Sequence, residues 1–97
     1  MRRAAKIDNN QPEIVAALRK VGAMVQSLAA TGDGCPDLLV GFKGETYLME
    51  VKDGEKVASK QKLTADQIVW HSLWPGGKLS VVKTVDEALK EINAIQT

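Results

Sequence analysis

Pro36-Asp37-Leu38-Leu39-Val40-Gly41-Phe42-Lys43-Gly44-Glu45-Thr46-Tyr47-Leu48-Met49-Glu50-Val51-Lys52 reads as two β-strands joined by a turn. Asp37 to Phe42 and Thr46 to Lys52 are the hydrophobic runs, and Lys43-Gly44-Glu45 carries the turn signal. A two-residue Lys43-Gly44 loop pairs Phe42 with Glu45, and continuing the count sets Asp37 opposite Glu50. Opposed residues of antiparallel strands project to the same face, with Cα atoms roughly 4.5–5.5 Å apart. Strand side chains alternate, so Lys52 shares that face with Glu50 while Val51 points the other way. A three-residue loop with a glycine bulge would slip the count by one residue and separate the pair. Two carboxylates so placed repel unless a cation sits between them, and hard oxygen ligands suit Mg²⁺ or Mn²⁺.

The rest of the chain frames this hairpin. Asn9-Asn10-Gln11-Pro12 signals a helix start with a side-chain cap and an early proline. Ile14, Leu18 and Val21 follow at helical spacing, and Gly22 ends the run. Ala23 to Ala29 reads as a strand, and Thr31-Gly32-Asp33-Gly34-Cys35-Pro36 as a turn-rich loop. After Asp53-Gly54-Glu55-Lys56 comes a polar loop. Thr64-Ala65-Asp66-Gln67 is a capping box opening a helix with Ile68, Trp70, Leu73 and Trp74. Pro75-Gly76-Gly77 stops that helix, Leu79 to Val82 is a last strand, and Thr84-Val85-Asp86-Glu87 is a second capping box. The order helix, three strands, helix, strand, helix predicts an α/β fold with a mixed sheet flanked by helices.

Ninety-seven residues, 44% hydrophobic and 26% charged, predict a single globular domain spanning residues 1–97. No apolar run is long enough to cross a membrane, and no hydrophobic stretch follows the basic Met1-Arg2-Arg3-Ala4-Ala5-Lys6 opening. The lone Cys35 excludes an intramolecular disulfide and fits a reducing, cytoplasmic setting. A net charge of +1 argues against a protein that coats DNA indiscriminately. Lys52, Lys56, Lys60 and Lys62 do cluster after the hairpin, either as a nucleic-acid contact or as a solvated loop.

Gly34-Cys35-Pro36-Asp37, then Glu50-Val51-Lys52, then Leu63-Thr64-Ala65-Asp66-Gln67 resembles the PD-(D/E)XK nuclease superfamily. More narrowly it is similar to the small stand-alone VRR-NUC domains, many of them phage-encoded. With Glu13 on the first helix and the closing strand and helix, the resemblance spans nearly the whole chain. It implies a restriction-endonuclease-like αβββαβ core with a C-terminal helix. It implies that Asp37 and Glu50 bind the metal, that the Val51 carbonyl is a further ligand, and that Glu13 approaches the same ion. Lys52 would orient the attacking water and stabilise the charged phosphorane, and Gln67 would point back to the patch. It also implies Mg²⁺-dependent hydrolysis of branched or Holliday-junction-like DNA by a homodimer, in the host cytoplasm if the chain is phage-encoded.

Several of these residues carry a second, plainer reading. Glu50 and Lys52 could form an exposed strand-edge pair of little energetic weight. Gln67 could serve only as the partner of Thr64, and Glu13 only as a favourable charge at a helix N-terminus. His71, one turn after Gln67, is most simply a half-buried surface residue. Trp70 and Trp74 share a helix face and are expected to pack on the sheet or a second subunit rather than stack on bases. Two functional alternatives remain from sequence: a catalytically silent nucleic-acid-binding or scaffold domain, and a hydrolase of small phosphoesters.

Overall fold

In the computed structural model, which describes residues 7–95, the hairpin forms at the shorter turn. Lys43 and Gly44 both adopt left-handed backbone angles (φ 49° and 81°), as a two-residue hairpin loop of matching twist requires. Phe42 therefore pairs with Glu45, and the antiparallel register runs back to Leu38 opposite Met49. Strands β2 (Leu38–Phe42) and β3 (Glu45–Val51) are the centre of a four-stranded sheet of order β1-β2-β3-β4. The edge strand β1 (Met24–Ser27) pairs antiparallel with β2, and β4 (Leu79–Val82) pairs parallel with β3. A parallel neighbour needs a long crossover, and it contains a short 3₁₀ turn (Ala58–Lys60) and helix α2 (Ala65–Leu73). The sheet is thus mixed and the architecture α/β.

The sheet has two unlike faces. Val25, Leu38, Val40, Tyr47, Met49, Val51 and Val82 form the inner face. Helix α1 (Gln11–Lys20) covers it with Ile14 and Leu18, and α3 (Val85–Glu91) with Ala88 and the adjoining Ile92. Each large aliphatic side chain buried here contributes roughly 1.5–3 kcal/mol. Alternation sends Asp37, Glu50 and Lys52 to the outer face, towards α2. No residue of α2 is buried, so this helix is not attached by an apolar face. Its first turn instead meets the loop before β2 at Gly34. A Cβ there would lie 2.3 Å from the Asp66 carbonyl oxygen, and the Gly34 φ of +83° also disfavours any side chain.

Four details differ from the sequence expectations. Asn10 precedes α1 but makes no capping bond with its side chain, which is engaged elsewhere. Val21 lies beyond α1 and is exposed, because the helix stops one residue before it. The Thr84 hydroxyl caps α3 by accepting from Glu87 N, while the Glu87 carboxylate accepts from Lys83 N rather than from Thr84. Trp70 and Trp74 stack on each other, with centroids 5.1 Å apart. Gly76 closes against the Trp74 ring, where an added Cβ would meet ring carbons at 2.4 Å. Trp74 nonetheless remains 39% exposed, and neither indole belongs to the core cluster on the sheet.

Because Gly34 combines a left-handed backbone with backbone contact, Gly34→Ala is expected to lower unfolding stability by about 2 kcal/mol or more. Gly41→Ala, where a Cβ meets nothing within 4 Å, should change it by less than about 0.5 kcal/mol. Urea denaturation of both variants measures the difference, and equal effects would remove the proposed clamp between the loop and α2.

Candidate active site

Asp37 stands just before β2 and Glu50 one residue before the end of β3, so the hairpin register alone brings them across from each other. Asp37 is tied down at both ends: its carbonyl accepts from Leu28 N at 2.7 Å, and its Oδ2 accepts from Val51 N at 2.8 Å. The buried Pro36 before it fixes the approach of the chain. Val51 puts its side chain into the core and meets the cleft with its backbone.

Glu50 is 2% exposed and its two oxygens differ. Oε2 accepts from Gln67 Nε2 at 3.1 Å and lies 3.7 Å from Lys52 Nζ. Oε1 is buried without a hydrogen-bond partner among the described residues. Burial, then the nearby Asp37 carboxylate, push the Glu50 carboxyl up to about 9, against a smaller opposing pull from Lys52. Without a bound cation Glu50 thus holds its proton at neutral pH. The 3.7 Å approach of Lys52 becomes an ion pair only when that proton leaves.

Lys52 Nζ donates to Gln67 Oε1 at 2.7 Å, while Lys52 N donates to Val82 O at 3.0 Å across the last rung between β3 and β4. Gln67 combines both readings made from sequence. Its Oε1 accepts from Thr64 N at 2.9 Å and its backbone N donates to Thr64 Oγ1, completing the capping box. The same amide bridges Lys52 and Glu50. One side chain therefore starts α2 and joins that helix to the patch.

Asp37, Glu50, Val51, Lys52 and Gln67 line one open cleft of about 410 Å³, together with Asp8, Lys56 and Thr64. Glu13 is not among them. It is exposed on α1 and lines a separate, larger cleft of about 650 Å³ with Asp53, Lys83 and Asp86. The reason is topological: α1 packs on the inner face through Ile14 and Leu18, whereas the carboxylate pair faces outward. The larger cleft contains neither Asp37 nor Glu50, so volume does not locate the chemistry. Asp8, which no motif signalled, does reach the carboxylate cleft, where its Oδ1 accepts from Lys56 Nζ at 3.0 Å. His71 does not line this cleft. Burial, and then the charge of Lys52, lower its pKa.

Among the described residues no three His, Cys, Asp or Glu side chains gather closely enough to hold a metal alone. The donor set is two carboxylates and a backbone carbonyl. That suits Mg²⁺, which keeps several waters and binds through one or two carboxylates plus substrate phosphate. Once Glu50 is ionised, its buried Oε1, which has no donor among the described residues, is an acceptor such an ion could occupy.

Sheet and helices make a mixed α/β domain with the carboxylate–lysine patch on its outer face. A solved structure described as a VRR_NUC domain superposes with a TM-score of 0.68 at 26% identity, covering 96% of this chain and 100% of that one. The VRR-NUC resemblance seen in the sequence is therefore carried by the whole fold, consistent with a domain of the PD-(D/E)XK type. No family model and no curated protein matches the sequence.

An acid whose folded-state pKa of about 9 exceeds its ordinary 4.5 binds its proton more tightly when folded. Its contribution is complete below pH 4.5 and is lost as pH rises towards 9. Glu50→Gln should therefore stabilise the metal-free protein at pH 8, by up to about 5 kcal/mol, with little gain at pH 4.5. Thermal unfolding in EDTA at both pH values checks this. A loss of stability at pH 8 would mean that Glu50 is ionised and held by Lys52.

Proposed function

We propose that this chain is a metal-dependent deoxyribonuclease, using Mg²⁺ with Mn²⁺ able to substitute, that cuts branched DNA of the four-way-junction kind as a homodimer. The observation that carries the hydrolytic reading is the facing Asp37–Glu50 pair with Lys52 alongside, its amine held by Gln67. Asp37, Glu50 and the Val51 carbonyl would hold the ion. When bound, it would acidify a water and neutralise charge on the scissile phosphate. Glu13 is left out of this set because it lines the other cleft.

The chain's own groups divide the remaining work. Asp37 Oδ2 is committed to Val51 N and fixes the carboxylate plane against the end of β3. Gln67 holds Lys52 Nζ and Glu50 Oε2 with opposite ends of its amide, so it sets their separation. Lys52 Nζ places fixed positive charge where the phosphorane oxygens become more negative, without competing as a metal ligand. The cleft is open, Lys56 lines it, and Lys60 and Lys62 stand exposed on the loop that follows. An open basic rim suits a polymer phosphodiester better than a small phosphoester, which needs enclosure.

Branched substrate and homodimer rest on the resemblance, with support from the surface. Helix α2 exposes Ile68, Val69 and Leu73, Trp74 just beyond it is also exposed, and the outer sheet face exposes Met24 and Leu39. Leu73 is 73% exposed and Met24 76%, apolar surface of the kind a partner can cover. A second copy of the chain would cover it and supply the second site that two symmetric cuts require.

Cleavage of junction, flap, single-stranded and duplex DNA, with Mg²⁺ or with EDTA, tests the reaction. Junction cleavage with Mg²⁺ alone is expected. Lys52→Ala should stay folded and lose cleavage by roughly 10²-fold or more, and a variant cutting at the wild-type rate would end that role for Lys52. In sedimentation velocity the wild type should run as a dimer and Leu73→Glu as a monomer. A monomeric wild type at micromolar concentration would exclude the symmetric mechanism.

A further inference from the structure

Asn10, immediately before α1, is 9% exposed and spends its side chain far from its own helix. Its Nδ2 donates to Lys52 O at 3.0 Å and to Lys83 O at 2.9 Å. Those carbonyls lie just past the ends of β3 and β4, beyond the last ladder bond from Lys52 N to Val82 O. Two parallel strands would otherwise be free to splay there. A carboxamide nitrogen carries two hydrogens in one plane and can serve both carbonyls at once. The orientation is also forced, because a flipped amide would set its oxygen against two other oxygens. Asn10 Oδ1 is left buried without a partner among the described residues. The site thus carries an unpaired acceptor to keep both donors in place.

We infer that Asn10 is a positioning residue for the nuclease site: it pins the end of β3 to β4, fixing the backbone from which Lys52 and the Val51 carbonyl reach the cleft. The inference rests on the nuclease reading. It explains why an asparagine placed at a helix start gives no capping bond. Asn10 touches neither Asp37 nor Glu50 among its recorded hydrogen bonds, so it acts through Lys52. No other side chain among the described residues joins the two carbonyls. The bond to Lys52 O is buried, and small displacements of catalytic groups are costly in rate.

The test uses the full chain with Asn10→Ala and, should that variant fold poorly, Asn10→Ser, which keeps one donor. Cleavage at saturating Mg²⁺ should show kcat lower by about 10- to 100-fold, with KM for DNA changed by no more than about twofold. Amide hydrogen exchange in the absence of DNA should quicken at Val51 and Lys52 and stay unchanged in β1 and β2. Wild-type kcat in both variants, or exchange that quickens equally throughout the sheet, would overturn the inference. If the wild type cuts no DNA, the nuclease reading fails by itself. Exchange then decides whether Asn10 is a pin: local quickening sustains it and unchanged rates at Val51 and Lys52 reject it.

Discussion

The contact between Asp37 and the end of β3 depends on a turn at the other end of the hairpin. Lys43 and Gly44 hold left-handed angles, which makes the loop two residues long and fixes every pair behind it. One residue more would place Glu50 on the core side and Val51 on the cleft side, since side chains alternate. The inner face accepts Val51 among aliphatic neighbours, whereas Glu50 there would be an unpaired buried acid. Hydrophobic packing on one side of the sheet thus enforces the carboxylate geometry on the other. The facing carboxylates are held in place by the same register that holds the core.

Helix α2 is attached by different physics. It buries no side chain completely, and its polar anchors lie at its first turn, where Gly34 admits the Asp66 backbone and Gln67 reaches Lys52 and Glu50. The part of α2 nearest the patch is therefore the best fixed, and the far end presents apolar surface outward. That division suits a helix serving a polar site at its start and a partner along its length. Glu50 shows the accompanying strain. Its carboxyl is pushed up to about 9 in a buried setting beside Asp37, a stability cost that a bound cation would relieve.

Much of this was legible from residues. Turn chemistry, alternation and the Thr64–Gln67 capping box sufficed for the element order, the Asp37–Glu50 facing pair and the side on which Lys52 lies. Features depending on three-dimensional packing were not. Asn10 looks like a helix cap because Asn-x-Pro favours that role locally, yet two distant carbonyls outcompete it. Glu13 has the right residue type on the right helix, but α1 lies against the opposite face of the sheet from the carboxylate pair. Asp8 reaches the cleft from a segment with no pattern to announce it. Trp70 and Trp74 stack on each other, but Trp74 stands just past the end of α2 with an extended backbone, which helical spacing alone does not foresee. For Gln67, sequence offered two roles, and one amide has enough donors and acceptors to fill both.

Mn²⁺ binding measured by titration calorimetry on the wild type, Asp37→Asn, Glu50→Gln and Glu13→Gln addresses the shared-ion claim without relying on any DNA substrate. Binding is expected in the wild type and in Glu13→Gln, and its loss in the other two. Unchanged heat and stoichiometry in Asp37→Asn or Glu50→Gln, or loss confined to Glu13→Gln, would contradict a metal held between the two strands.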